Sequence, residues 1–490
     1  METTTTQVSS SNVRAQVGVN TPVSEIHRLF ELQQKNKQRV RNTTAKERRN
    51  KLKKLEKTLF SKRQAIRQAM YNDFRKAATE TDLTEIYTLL LEIRHAVEHL
   101  QEWMQPQEVE TPLVFFGTSA RVMYEPKGCA LIISPWNYPI NLSFIPLVSA
   151  VAAGCTAIIK PSEYTPHTSA IIREIVSEVF DASEVSVVEG DHTVSQELLK
   201  LKFDHIFFTG SPSVGKLVMK AAADHLTSVT LELGGKSPVI VDASANIEDC
   251  ARSVAWGKCV NSGQTCVSPD YLLIHESLQE RFVEEFKKSV LAMYGAAGEE
   301  LKNNPDYCRI VNRRHYTRIK NLIMEAIEKG AHVAFGGAMD DAENFIAPTL
   351  LTDVPDNAEI MHEEIFGPVF PIRKFTDIRE AVDYVNAKEK PLALYVFSSK
   401  QKHIDYVLQN TSSGGACVNE TMIQFSHVHL PFGGVNHSGM GKAHGFYGFK
   451  TFSNEKAVLR QHLKRMVMKT LYPPYKGPKL RIIEFMLKYL

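Results

Sequence analysis

The feature that most constrains this chain is an alternation. Between residues 120 and 240, short apolar runs (ALIIS, CTAIIK, VSVVEG, HIFFTG, SVTLELGG and SPVIVD) are separated by stretches of helical periodicity. Parallel strands need long crossover connections, and helices supply them, so this pattern predicts parallel α/β units. The second half repeats it with YLLIH, a helix through about 293, HVAFGG, PTLLTDV, FPIRKF, a helix near 378–388 and ALYVFSS. The chain's 490 residues are enough for about two to four domains. The expectation is an α/β fold with two such units rather than one barrel.

One stretch imitates a membrane span. Cys129 to Ile159 carries no charge and is long enough to cross a bilayer. Pro135, Pro139 and Pro146 would interrupt a single helix, so it reads as strand, loop, helix and strand. Upstream, residues 35–63 hold thirteen basic side chains against Glu47 and Glu56. Leu52, Leu55, Leu59, Ile66, Met70 and Phe74 recur at helical spacing beneath them. Such a basic amphipathic segment suits a membrane surface or a polyanion, or is a solvated helix packed on its own domain; the last is preferred. With 58 basic against 55 acidic residues, the net charge of +3 does not suggest a nucleic-acid binder.

Seven cysteines without a CxxC pair do not form a disulfide framework, and METTTTQVSSSN lacks the basic and apolar regions of a secretory leader. The expected setting is reducing and cytoplasmic. His427 and His429 in HVHLPFGG have no third ligand nearby, so no metal is expected.

The chemistry-bearing segments are each weak alone. HIFFTG followed by SPSVGK places Gly210, Ser211, Val214 and Gly215 where a strand gives way to a helix, a turn whose N–H groups suit a pyrophosphate. It lacks the third glycine and the later acidic residue of the ordinary dinucleotide fingerprint. Lys160 and Glu163 follow the strand CTAIIK, at the carboxyl end where α/β ligands sit. Cys266 lies among Asn261, Ser262, Gly263, Gln264 and Thr265, small polar neighbours that suit an accessible thiol more than a core. Glu232 stands in the apolar strand VTLELGG, either aimed inward as a base of raised pKa or turned outward by alternation. Glu364 and Phe366 in EEIFGP offer a carboxylate for sugar hydroxyls and an aromatic for a flat ring.

Together PWNYP (Pro135–Pro139), KPSE, FTGSPSVG, LELGGKSP, GQTC, EEIFGP and PFGG resemble the aldehyde dehydrogenase superfamily over nearly the whole chain. HIFFTGSPSVGK, NSGQTCVSPDY, TSSGGACVN and the YPPY tail resemble its class-three, fatty and aromatic aldehyde branch. The resemblance implies Cys266 as nucleophile, Glu232 as general base and the Asn137 amide as oxyanion donor. It implies Lys160 and Glu163 at the adenosine ribose, Gly210–Gly215 at the pyrophosphate, and Glu364 and Phe366 at the nicotinamide ribose and ring. The implied cofactor is NAD, with NADP use open. The implied substrates are aliphatic, aromatic or apocarotenoid aldehydes.

By the same resemblance the fold has a Rossmann-type cofactor domain, an α/β catalytic domain and a small bridging element. The expected division is a disordered tail over 1–22, a cofactor-binding domain over 23–228 with bridging strands near 111–124, and a catalytic domain over 229–425. A return to the cofactor domain and a bridging strand follow over 426–465, then a tail helix over 466–490. The bridging strands imply a homodimer. The apolar tail is too short to span a membrane; it caps the substrate entrance, rests on a membrane surface or packs against its own subunit.

Overall fold

The computed structural model describes residues 19–463, 469 and 472–489. Residues 1–18, expected to be a disordered tail, lie outside the described residues, as do 464–468, 470–471 and 490.

Two parallel sheets carry the molecule. The first has six strands in the order Gly439–Met440, Ser228–Leu233, His205–Gly210, Cys129–Ile133, Thr156–Lys160 and Val185–Val187, with only Gly439–Met440 antiparallel. The second has seven, in the order His332–Phe335, Thr349–Thr352, Val369–Phe375, Tyr271–His275, Pro238–Val241, Ala393–Phe397 and Gly415–Val418, with only His332–Phe335 antiparallel. The chain passes from one sheet to the other at residues 234–237.

Helices cover both faces of each sheet, which is why the inner strands are apolar at every position rather than at alternate ones. In Cys129–Ile133, Ala130 and Ile132 face one buried cluster while Cys129, Leu131 and Ile133 face the other. Ile240 and its neighbours Val239 and Val241 divide between two further clusters in the same way. The charge-free stretch resolves into the strand Cys129–Ile133, the helix Pro139–Ala153 with Pro146 in its interior, and the strand Thr156–Lys160.

The basic segment covers the end of the helix Val23–Arg41, the helix Ala45–Ser61, opened by a capping box between Thr44 and Glu47, and the start of the helix Arg63–Phe74. Leu52, Leu55, Leu59, Ile66, Met70 and Phe74 are buried in the same cluster as Leu147 and Val151 of the helix Pro139–Ala153. The amphipathic face is therefore spent on the chain's own core.

A third, antiparallel sheet joins Gln107–Val109, Thr118–Pro126 and Ser453–Gln461, the last two paired over nine residues. The C-terminal helix Pro478–Tyr489 has no buried residue. Among the described residues no helix is long and apolar enough to cross a membrane.

Candidate active site

The two sheets meet where PWNYP faces GQTC. The helix Ile247–Cys259 ends in Val260–Gly263, where Asn261 (φ 52°), Ser262 (φ 49°) and Gly263 (φ 70°) are all left-handed. Two consecutive non-glycine residues in that region are strained and need outside support. They receive it from several directions. Asn261 Nδ2 donates to the carbonyls of Asn137 and Gln264, each at 3.0 Å. Gln264 Nε2 donates to the carbonyls of Asn261 (2.9 Å) and Arg309 (3.0 Å), and its Oε1 accepts from Val311 N–H at 3.0 Å. Ser262 Oγ donates to Cys308 O at 2.8 Å. Cys266, half-buried, leaves this knot two residues later.

Asn137 is buried and donates through Nδ2 to Gln264 O at 3.0 Å. A carboxamide nitrogen has two hydrogens, so one is left for another acceptor. Tyr138, next along the chain, shares a 2.7 Å hydrogen bond with Thr265, the residue before Cys266.

Glu232 is aimed inward. It is buried, and neither carboxylate oxygen has a hydrogen-bond partner among the described residues. Burial pushes its pKa well above the ordinary carboxylate range, and the nearby Lys442 ammonium offsets this in part. Gly433 of PFGG makes room for it, since a Cβ there would stand 2.9 Å from Glu232 Oε1. Burial pushes the Cys266 thiol up to about 12, with the charges of Glu364 and Glu232 adding to the effect. In this state the thiol keeps its proton at neutral pH.

Glu364 and Phe366 lie on a loop pinned from two sides. Arg318 donates to Glu363 Oε1 (2.8 Å) and to the carbonyls of Glu364 (3.0 Å) and Ile365 (2.6 Å). Asp270, ion-paired to Lys236, accepts from Ile365 N–H at 2.9 Å. Phe366, with φ 49°, meets Trp136 edge-on at 5.4 Å. Glu364 lies over Gly234, where a Cβ would stand 2.0 Å from its Oε2. Burial raises Glu364 to about 8, helped by the charge of Asp270.

The remaining expected residues sit at the carboxyl ends of the six-stranded sheet. Gly210 ends its strand, and Ser211 caps the helix Pro212–Ala223, its Oγ accepting from Val214 N–H at 3.4 Å. Val214 is exposed and Gly215 is buried in the first turn. Lys160, buried, donates to Glu163 Oε2 at 2.8 Å, and Glu163 faces solvent. A helix N-terminus and this pair, both at the carboxyl ends of one sheet, are chemistry that a dinucleotide's phosphates and ribose fit.

Residues 6–458 match the aldehyde dehydrogenase family. The chain belongs to that family. It is 43% identical over 441 residues to 4,4'-diaponeurosporen-aldehyde dehydrogenase of Staphylococcus aureus (strain NCTC 8325 / PS 47), covering 90% of this chain and 94% of that one. It is 43% identical over 437 residues to mouse (Mus musculus) aldehyde dehydrogenase family 3 member A2, covering 89% of each. A substrate-bound structure of Staphylococcus aureus AldH superposes with a TM-score of 0.89 at 41% identity, covering 94% of this chain and 99% of that one. The fold is thus the aldehyde dehydrogenase fold, and the enzyme's class follows from the family.

Sequence reasoning singled out Cys266, Glu232 and Asn137 and missed the residues that hold the loops around Cys266 and Asn137. Asn261 and Gln264 counted only as small polar neighbours of Cys266, and Tyr138 only as part of a motif. Apart from the bonds between Asn261 and Gln264, their hydrogen bonds run to residues 45 to 181 positions away, which leaves no local pattern to read.

Proposed function

We propose that this enzyme oxidises an aldehyde to its carboxylic acid with NAD or NADP, through a covalent bond to Cys266. The observation that carries the reading is the buried Glu232, whose two carboxylate oxygens have no hydrogen-bond partner among the described residues, close enough to the half-buried thiol of Cys266 for its charge to act on it. A carboxylate held without partners is costly unless it is used, and a raised pKa suits a general base at neutral pH.

Lys160 and Glu163 would hold the adenosine ribose, Ser211–Gly215 the pyrophosphate, and Glu364 and Phe366 the nicotinamide end. The bound cofactor would supply the hydride acceptor. The chain's residues do the rest. Cys266, once deprotonated, adds to the carbonyl carbon, and the oxygen that becomes anionic takes the free hydrogen of Asn137 Nδ2 and the backbone N–H of Cys266. Loss of hydride leaves an acyl thioester on Sγ. Glu232 takes a proton from water as the water oxygen attacks that thioester, and returns it to the departing Sγ, releasing the acid and the thiol.

Medium- or long-chain aliphatic, aromatic and apocarotenoid aldehydes are the proposed substrates, in a cytoplasmic setting. The three-stranded sheet is the proposed surface for pairing with a second copy. The tail helix, with no buried residue, is proposed to cap the substrate entrance or lie on a membrane surface.

The test is NADH or NADPH absorbance on adding an aldehyde panel, with and without coenzyme A, to the wild type and Cys266→Ser. The expected result is turnover that does not need coenzyme A and is abolished in Cys266→Ser, while cofactor still quenches tryptophan fluorescence. Turnover that requires coenzyme A, or survives the loss of the thiol, overturns the reading.

A further inference from the structure

The knot around Cys266 is also fastened from outside its own two loops. Residues 75–87 bring three charged side chains beneath it. Lys76 and Glu85 are fully buried, and the Glu80 side chain is 12% exposed. Lys76 Nζ lies 3.4 Å from Glu85 Oε1, 3.9 Å from Glu80 Oε1 and 4.0 Å from the centre of the Tyr138 ring. One ammonium thus serves two carboxylates and the aromatic face of PWNYP.

Each carboxylate then holds one side of the active site. Glu80 Oε1 accepts the backbone N–H of Asn261 at 2.9 Å, at the start of the left-handed run. Glu85 Oε2 accepts the backbone N–H of Asn141 at 2.8 Å, in the first turn of the helix that follows Asn137 and Tyr138. Burial favours the protonated form of both carboxyls, and Lys76 opposes it.

A buried ion group of this kind is a weak source of stability, because desolvating three charges offsets their attraction. Its informative property is where it is tied. An acceptor held on Asn261 N–H restrains a strained segment, and that segment sets where Cys266 lies relative to the Asn137 amide. Nothing in the sequence RKAATETDLTE signals this, since Lys76, Glu80 and Glu85 look like the exposed charges of any helix.

We propose that Glu80, held by Lys76, is a positioning residue for the nucleophile. It keeps residues 261–263 left-handed so that Cys266 and Asn137 converge on one carbonyl. The proposal rests on Cys266 being the nucleophile.

The experiment compares full-length wild type with Glu80→Gln, Glu80→Asp and Glu80→Ala. Gln keeps an acceptor oxygen at the same reach without the charge, and Asp keeps the charge but draws the acceptor back. Three readouts are taken: the pre-steady-state burst of reduced cofactor, the KM for cofactor, and the rate at which iodoacetamide alkylates Cys266, followed by mass on its peptide. The expected burst rate falls on the order of ten- to a hundredfold in Glu80→Ala and Glu80→Asp, with the KM for cofactor unchanged. Glu80→Gln should recover most of the rate. Alkylation of Cys266 should depart from wild type in Ala and Asp and match it in Gln.

If Glu80→Ala does not fold, Asp against Gln decides. Asp behaving as wild type while Gln is slow would mean that charge, not the hydrogen bond, matters, and would overturn the proposal. So would a folded Ala variant with wild-type burst and alkylation rates. A wild type inactive on every aldehyde would sink the proposed function instead, and the alkylation order would still decide the role of Glu80.

Discussion

The corner around Cys266 and the C-terminal helix Pro478–Tyr489 are opposite solutions to placing functional groups. In the first, each backbone turn is held by side chains drawn from other elements: Asn261, Gln264 and Ser262 bond to loops near 137 and 308–311, and Glu80 reaches in from residues 75–87. In the second, Leu480, Phe485, Leu487 and Tyr489 are exposed and no residue is buried. A left-handed backbone and a partnerless buried carboxylate survive only where surroundings over-determine them. A short amphipathic helix owes its apolar face to side-chain spacing, but buries that face only where a partner surface covers it. Between the two stands Lys160–Glu163, one ion pair with a buried lysine and an open carboxylate. Substitutions in the locked corner should therefore act on the chemistry, and those in the open regions on selectivity.

The sharpest break of this comparison is Glu232→Gln. Hydride transfer should proceed once while deacylation slows about 10³-fold, as loss of a general base implies, giving a stoichiometric burst and little turnover. Stability should move the other way. Because the folded pKa of Glu232 lies above its unfolded value, its stabilising protonation is complete below the ordinary carboxylate range and is lost as pH rises towards the folded pKa. Glu232→Gln should thus melt higher than wild type at pH 8, with the gap closing near pH 4. An unchanged steady state, or a variant that melts lower at pH 8, would make Glu232 a structural group.

The intermediate region should give an intermediate effect. Glu163→Gln removes a carboxylate that would accept bonds from a ribose 2′-OH and repel a 2′-phosphate, leaving Lys160 unopposed. Since Glu163 faces solvent, the kcat/KM ratio for NADP over NAD should rise only about three- to tenfold. A ratio equal to the wild type's would remove Glu163 from cofactor selection.

The smallest effect belongs to the tail. Deleting residues 477–490 should raise KM for a long-chain aldehyde about two- to fivefold, the scale of modest apolar burial, and leave a short-chain aldehyde unchanged. Equal effects on both chain lengths would show that the helix has no part in substrate handling.

Much of this molecule could be read from the sequence because its signals are local. Strands buried on both faces must be apolar throughout, so ALIIS, CTAIIK and HIFFTG announce a parallel sheet. Prolines in Cys129–Ile159 forbid a span, and the 3–4 spacing of Leu52, Leu55 and Leu59 fixes a helix face. The motifs carrying Cys266, Glu232 and Asn137 were legible as motifs. Which way Glu232 points was not, because alternation along Ser228–Leu233 allows either face until the PFGG loop is seen to leave room at Gly433. The strain at Asn261 and Ser262, the single free hydrogen on Asn137 and the hold of Lys76, Glu80 and Glu85 were likewise invisible. A hydrogen bond between residues 181 positions apart, such as Asn261 N–H to Glu80, leaves no period or propensity in either segment. Sequence determined which elements form and which faces they bury, since both follow from side-chain spacing along one element. Only the tertiary structure decided which polar groups are left without partners, because that depends on every neighbour at once.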